Sequence, residues 1–137
     1  MSSSSAKQQT IVIDGTSLVL DEFWQISVNK ALVVLHPDIK DRVSRSRKVI
    51  EDIFKEERPV YGVTTGFGKF KDQFISLEDT RKLQRNLIIS HACGVGELFP
   101  SPVVRGMLLL RLNNLAKGYS GIRYEVLLLL VDFVLVN

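Results

Sequence analysis

The sequence has a single cysteine, Cys93, in 137 residues. No disulfide framework can form within it, and Cys93, His36 and His91 together are too few and too scattered for a metal ligand set. It has little excess charge. Eighteen basic residues stand against fifteen acidic ones, a net charge of +3, and no Lys/Arg block is interleaved with aromatics, so a nucleic-acid partner is unsupported. The densest basic stretch, KDRVSRSRK at 40–48, reads as the solvated face of a helix. Long hydrophobic runs are also missing. The longest, VLLLLV at 126–131, is interrupted by Asp132 and is too short to cross a bilayer even with the FVLV that follows. The opening MSSSSAKQQ has no apolar centre of the kind a signal peptide needs, so residues 1–9 are expected to be a disordered lead-in and the protein cytoplasmic.

What is present is globular composition, 45% hydrophobic and 24% charged, in a chain long enough for a real core. QTIVIDG at 9–15 is β-branched and ends in Asp-Gly, which predicts a short strand and a turn. Asp21 is a candidate cap for a short helix through EFWQIS, and ALVVLH at 31–36 reads as extended. Pro37 suits the first position of a helix carrying Ile39, Val43, Val49, Ile50, Ile53 and Phe54 on its apolar stripe, with Pro59 ending it after about Glu57. A further helix should start at Ser76, three residues before Asp79, present Leu83, Leu87 and Ile88, and stop by Gly94. Ser101-Pro102 predicts another start, and Gly118 a stop after Lys117. A last helix should begin near Arg123. The expected fold is mainly α, with short strands in the first 36 residues and four helices of any length.

Two features of the last helices stand out. Val104, Leu108, Arg111 and Leu115 share a face, so Arg111 is expected in an apolar stripe with a carboxylate or carbonyl partner. VLLLLVDFVLV is apolar nearly all round and is expected to be buried on every side, which implies an oligomer or the front piece of something larger.

Between the first and second long helices lies VYGVTTGFGKF, residues 60–70. The spacing Gly62-x3-Gly66-x-Gly68 matches neither a P-loop nor a dinucleotide fingerprint. A structural turn remains open, and so does an active-site loop in which glycine lets the backbone approach a ligand while Tyr61 presents a phenol for general-base chemistry. His91 can be a helix-terminal histidine satisfied by local carbonyls or a substrate-contacting imidazole. His36 is expected as a cap or an exposed residue, and Cys93 as a small buried hydrophobe.

Taken in order, VYGVTTGFGKF, LQRNLIISHACGVGE and LLRLNNLAKGYSGIR resemble the N-terminal region of the histidine ammonia-lyase family, within the wider aromatic amino acid lyase group. The likeness is most specific over residues 60–123. The Ser-His pair in SHACGVGE resembles the histidine branch; the alternative is a fragment of a phenylalanine or tyrosine ammonia-lyase or aminomutase. The resemblance implies a helical domain of the ammonia-lyase/fumarase-aspartase-like type over 10–137. It implies a small amino acid substrate and a homotetramer in the full-length form, with no nucleic-acid or membrane partner. It also implies Tyr61 as the proton-transfer residue, His91 as a substrate contact, and Gly62, Thr64, Thr65, Gly66, Phe67 and Gly68 as the active-site loop, with no metal. The family's electrophile is a methylidene-imidazolone made by cyclisation of an Ala-Ser-Gly segment. No Ala-Ser-Gly occurs here; Ser120-Gly121 follows Tyr119. The chain is therefore expected to stop before that segment and before the central bundle, and to be inactive alone. Two non-enzymatic readings stand beside this one: a module that docks with a full-length lyase, and a stand-alone helical scaffold.

Overall fold

A computed structural model describes residues 9–66 and 75–136, apart from the side chains of Leu77 and Glu78. The expected disordered lead-in covers residues 1–9, of which 1–8 lie outside the described residues. The element order is β1 (Thr10–Ile13), α1 (Leu20–Ser27), β2 (Leu32–Leu35), α2 (Asp38–Lys55), α3 (Leu77–His91), α4 (Ser101–Ala116) and α5 (Tyr124–Val136). The chain is mainly helical as expected, with four helices of thirteen residues or more and the eight-residue α1 among the described residues. It packs as two units, one of residues 1–47 with 99–137 and one of residues 48–98.

In the first unit β1 and β2 pair in parallel, Thr10 opposite Leu32 through Ile13 opposite Leu35, with α1 as the crossover. Period-two alternation sends Ile11, Ile13 and Val33 into the core and leaves Val12 and Val34 outside. α4 packs against both α1 and α5, and α5 also packs on β2. Ile26, Ile39, Val43, Leu109, Leu112, Leu115, Leu127 and Val134 complete the buried cluster.

Turn chemistry fixes the ends of these elements. After β1, the Asp14 carboxylate accepts from the Thr16 and Ser17 amides at 2.7 and 2.8 Å, which holds its pKa well below the usual carboxylate range. Gly15 then takes φ +93°, and a Cβ there would lie 2.9 Å from the Lys117 amide nitrogen, so the turn sits directly on the end of α4. Gly118 ends α4 at φ +79°, with its amide donating to the Leu115 carbonyl at 3.0 Å. Arg42 donates to the Asp14 carbonyl at 3.2 Å, and Ser46 accepts from the Gly121 amide at 2.9 Å. His36 acts as the expected cap: its Nδ1 accepts from the Asp38 amide at 3.3 Å.

Several local expectations are corrected. Asp21 lies inside the first turn of α1; the N-cap is Val19, whose amide donates to Glu22 Oε2 at 3.3 Å. Ser101 is the first residue of α4 rather than its cap, which is Pro100. α2 ends at Lys55 through a left-handed Glu57, φ +48°, with the Arg58 amide donating to the Ile53 carbonyl at 3.3 Å, before Pro59 is reached.

The arginine expectation is also displaced. Arg111 is exposed, and the buried one is Arg105, 2% exposed, whose Nη1 donates to the Ser27 carbonyl at the end of α1. The buried face of α4 runs through Arg105, Gly106, Leu109, Leu112, Leu115 and Ala116, so Leu115 of the expected stripe is inside while the face is turned away from Arg111. α4 is apolar on so much of its circumference that periodicity alone leaves its phase undetermined. On α5, Leu127 and Val134 face the core, while Leu128, Leu129, Phe133 and Leu135 are 42–49% exposed, so this chain by itself covers only part of the helix. No helix among the described residues is long and apolar enough to cross a membrane.

Candidate active site

The second unit carries the residues singled out for chemistry. After α2, the chain turns through Val60–Thr64. The Val63 and Thr64 amides both donate to the Val60 carbonyl at 3.0 Å. Tyr61 is the second residue of this turn, and Gly62 takes φ +71°, a conformation that costs other residues a steric penalty. Tyr61 projects outward, 64% exposed.

The threonines behind it are buried. Thr64 is fully inaccessible and Thr65 is 3% exposed. The Thr64 hydroxyl donates to the Arg58 carbonyl at 2.5 Å and accepts from the Val60 amide at 2.8 Å. The Thr64 carbonyl accepts from the Ile75 amide at 2.8 Å. The Thr65 hydroxyl donates to the Gly66 carbonyl at 3.2 Å, and Gly66 is buried. Phe67 and Gly68, also expected in the loop, lie outside the described residues.

α3 starts as expected. Ser76 is its N-cap, with Oγ accepting from the Asp79 amide at 3.1 Å. Leu83 and Leu87 are half-buried, but Ile88 is 68% exposed. The helix ends at His91, ahead of Gly94. The His91 ring is exposed, and its Nδ1 lies 2.9 Å from the Leu87 carbonyl and 2.9 Å from Ser90 Oγ. A carbonyl can only accept, so Nδ1 carries the proton and Nε2 of the neutral ring can accept. One nitrogen of His91 thus satisfies the helix end, as the local reading expects. Cys93, two residues on, is exposed rather than buried.

Tyr61 and His91 therefore belong to the same packing unit, and both are exposed. His36 belongs to the other. A concavity of about 450 Å³ in the first unit is lined by Phe23, Trp24, Val28, Val103, Met107 and Leu110. It offers no charged group to meet the carboxylate or ammonium of an amino acid. Sequence reasoning missed the Thr64 hydroxyl as the centre of the turn. The available signal was a threonine four residues after Val60, the spacing at which a side chain can close back on a turn.

Comparison with known proteins places this geometry. The model of the aromatic amino acid lyase family matches residues 18–136. The histidine ammonia-lyase of Alkaliphilus oremlandii is 52% identical over 124 residues, covering 90% of this chain and 24% of that protein. Among solved structures, ergothionase from Treponema denticola superposes with a TM-score of 0.86 at 33% identity, over 93% of this chain and 26% of its own. The histidine ammonia-lyase of Trypanosoma cruzi gives 0.84 at 34% identity, over 92% and 25%. The chain spans about a quarter of the length of the curated relatives it matches.

Proposed function

The chain belongs to the aromatic amino acid lyase family, and from that membership we propose that it is the N-terminal part of a histidine ammonia-lyase, which eliminates ammonia from L-histidine to leave urocanate. The observation that carries the substrate is identity near one half, across nine-tenths of the chain, with relatives of that name. The Ser90–His91 pair at the end of α3 agrees with it.

In this reading the Tyr61 phenol oxygen, in its anionic form, takes the β-proton. The electron pair released forms the new double bond as ammonia departs with the Cα–N pair. His91 holds the substrate through Nε2, which can accept from the substrate imidazole N–H or, once protonated, meet its carboxylate. Gly62 and Thr64 shape the turn that presents the phenol, and Thr65 and Gly66 follow it in the same active-site loop.

The β-proton is weakly acidic, so elimination also needs an electron sink, in this family a methylidene-imidazolone formed from Ala-Ser-Gly. These 137 residues contain no such segment. The residues present thus account for proton transfer and substrate contact, and not for electron withdrawal. The complete enzyme would be a cytoplasmic homotetramer.

The purified 137-residue chain is expected to form no imidazolone chromophore and to produce no urocanate absorbance from L-histidine. Joined to the remaining three-quarters of a histidine ammonia-lyase, it should support turnover that Tyr61→Phe abolishes. Turnover by the chain alone, or full activity of the Tyr61→Phe enzyme, would sink this assignment.

A further inference from the structure

We propose that the Thr64 hydroxyl is a positioning group for Tyr61, acting through the backbone just before it. The inference rests on the reading of Tyr61 as the proton-transfer residue.

An exposed phenol on a turn is useful for proton transfer only if the turn is held still. Positioning of reacting groups supplies much of an enzyme's rate, and a misplacement of about 1 Å can cost about 100-fold. The Tyr61 side chain itself is 64% exposed, so packing holds it only in part. Its backbone is held by Thr64. The hydroxyl donates to the Arg58 carbonyl, three residues before Tyr61, and accepts from the Val60 amide, immediately before it. The Val60 carbonyl in turn accepts from the Thr64 amide, so Val60 and Thr64 are joined twice. The Thr64 carbonyl takes the Ile75 amide, which ties the turn to the residue just before the Ser76 cap of α3.

One fully buried residue thus uses its amide, carbonyl and hydroxyl to close the segment carrying Tyr61 and to anchor it near the start of α3. The hydroxyl is the only one of the three groups that depends on residue type. Valine has nearly the same shape and lacks it; serine keeps it and lacks the methyl.

The test compares Thr64→Val with Thr64→Ser. In the 137-residue chain, amide hydrogen exchange at Val60 should speed up at least about 10-fold in Thr64→Val and remain near the parent rate in Thr64→Ser. In a complete lyase carrying this chain, Thr64→Val should lower kcat about 10- to 100-fold, with KM changed less than about 3-fold, and Thr64→Ser should restore most of kcat. Unchanged kcat in Thr64→Val, or equal loss in both variants, overturns the proposal, since the second outcome would mean that only packing matters. If Thr64→Val does not fold, Thr64→Ser decides: retained Val60 protection with near-parent kcat supports the role, and loss of either refutes it. Tyr61→Phe in the same background separates the two readings. An active Tyr61→Phe enzyme removes the assigned role of Tyr61, whereas an inactive one beside a fully active Thr64→Val enzyme removes only the role of Thr64.

Discussion

The two packing units hold themselves together by different means. Of the fourteen buried hydrophobic residues among those described, thirteen lie in the unit of residues 1–47 and 99–137, and only Ile53 lies in the unit of residues 48–98. Among the described residues, the other buried side chains of the second unit are threonines, Thr64 and Thr65, and its α3 leaves Ile88 and Ile89 more than 60% exposed. The first unit is a hydrophobic scaffold of helices on a small sheet. The described residues of the second are joined chiefly by caps and turn hydrogen bonds, and they include both candidate site residues. Segments with few buried apolar contacts open at lower free energy, and reactive residues are commonly displayed on such segments and positioned by a better-packed scaffold.

The largest expected effect tests this contrast in the cores. Leu112 is completely buried, so Leu112→Ala should cost about 2–5 kcal/mol from lost transfer energy and the cavity left behind. Leu87→Ala on half-buried α3 should cost less than about 1 kcal/mol. Urea denaturation followed by circular dichroism measures both, and equal costs would erase the distinction.

An intermediate effect is expected at Gly15. Alanine there meets φ +93° and places a Cβ 2.9 Å from the Lys117 amide nitrogen, a backbone atom that cannot rotate away. Gly15→Ala should destabilise the first unit by about 1–3 kcal/mol. A melting temperature unchanged within error would show that the turn does not pin the end of α4.

The smallest effect belongs to the second unit. Ser76→Ala removes the side-chain cap of α3 and should cost about 1 kcal/mol. The loss should appear as faster exchange of the Asp79 and Thr80 amides, with the first unit's exchange unchanged. Faster exchange throughout the chain would mean that the two units unfold together.

Local punctuation in the sequence placed most of the elements. Asp14-Gly15 closes β1, Ser76 opens α3 and Gly118 closes α4, because each needs only its own neighbours to act. The α2 stripe was legible at Ile39, Val43 and Ile53, while Val49 proved 57% exposed. Phase failed on α4, where apolar residues surround most of the helix, and so Arg111 was expected where Arg105 is buried. At the candidate site, Tyr61 and His91 stood out by residue type and resemblance. The role of Thr64 did not, since its hydroxyl gains meaning only once the turn brings Arg58, Val60 and Thr64 together.

The sequence by itself determined which segments are helices and turns, and which family the motifs resemble, because both follow from residue identity at short range. Only the tertiary structure decided which face of α4 is inside, which arginine meets the end of α1, and how much of α5 remains uncovered. Those outcomes depend on what each helix packs against, and a helix that is apolar nearly all round does not encode its own phase. VYGVTTGFGKF lies between these cases. Its glycines announced a turn, but folding buried the threonines and left the tyrosine facing out.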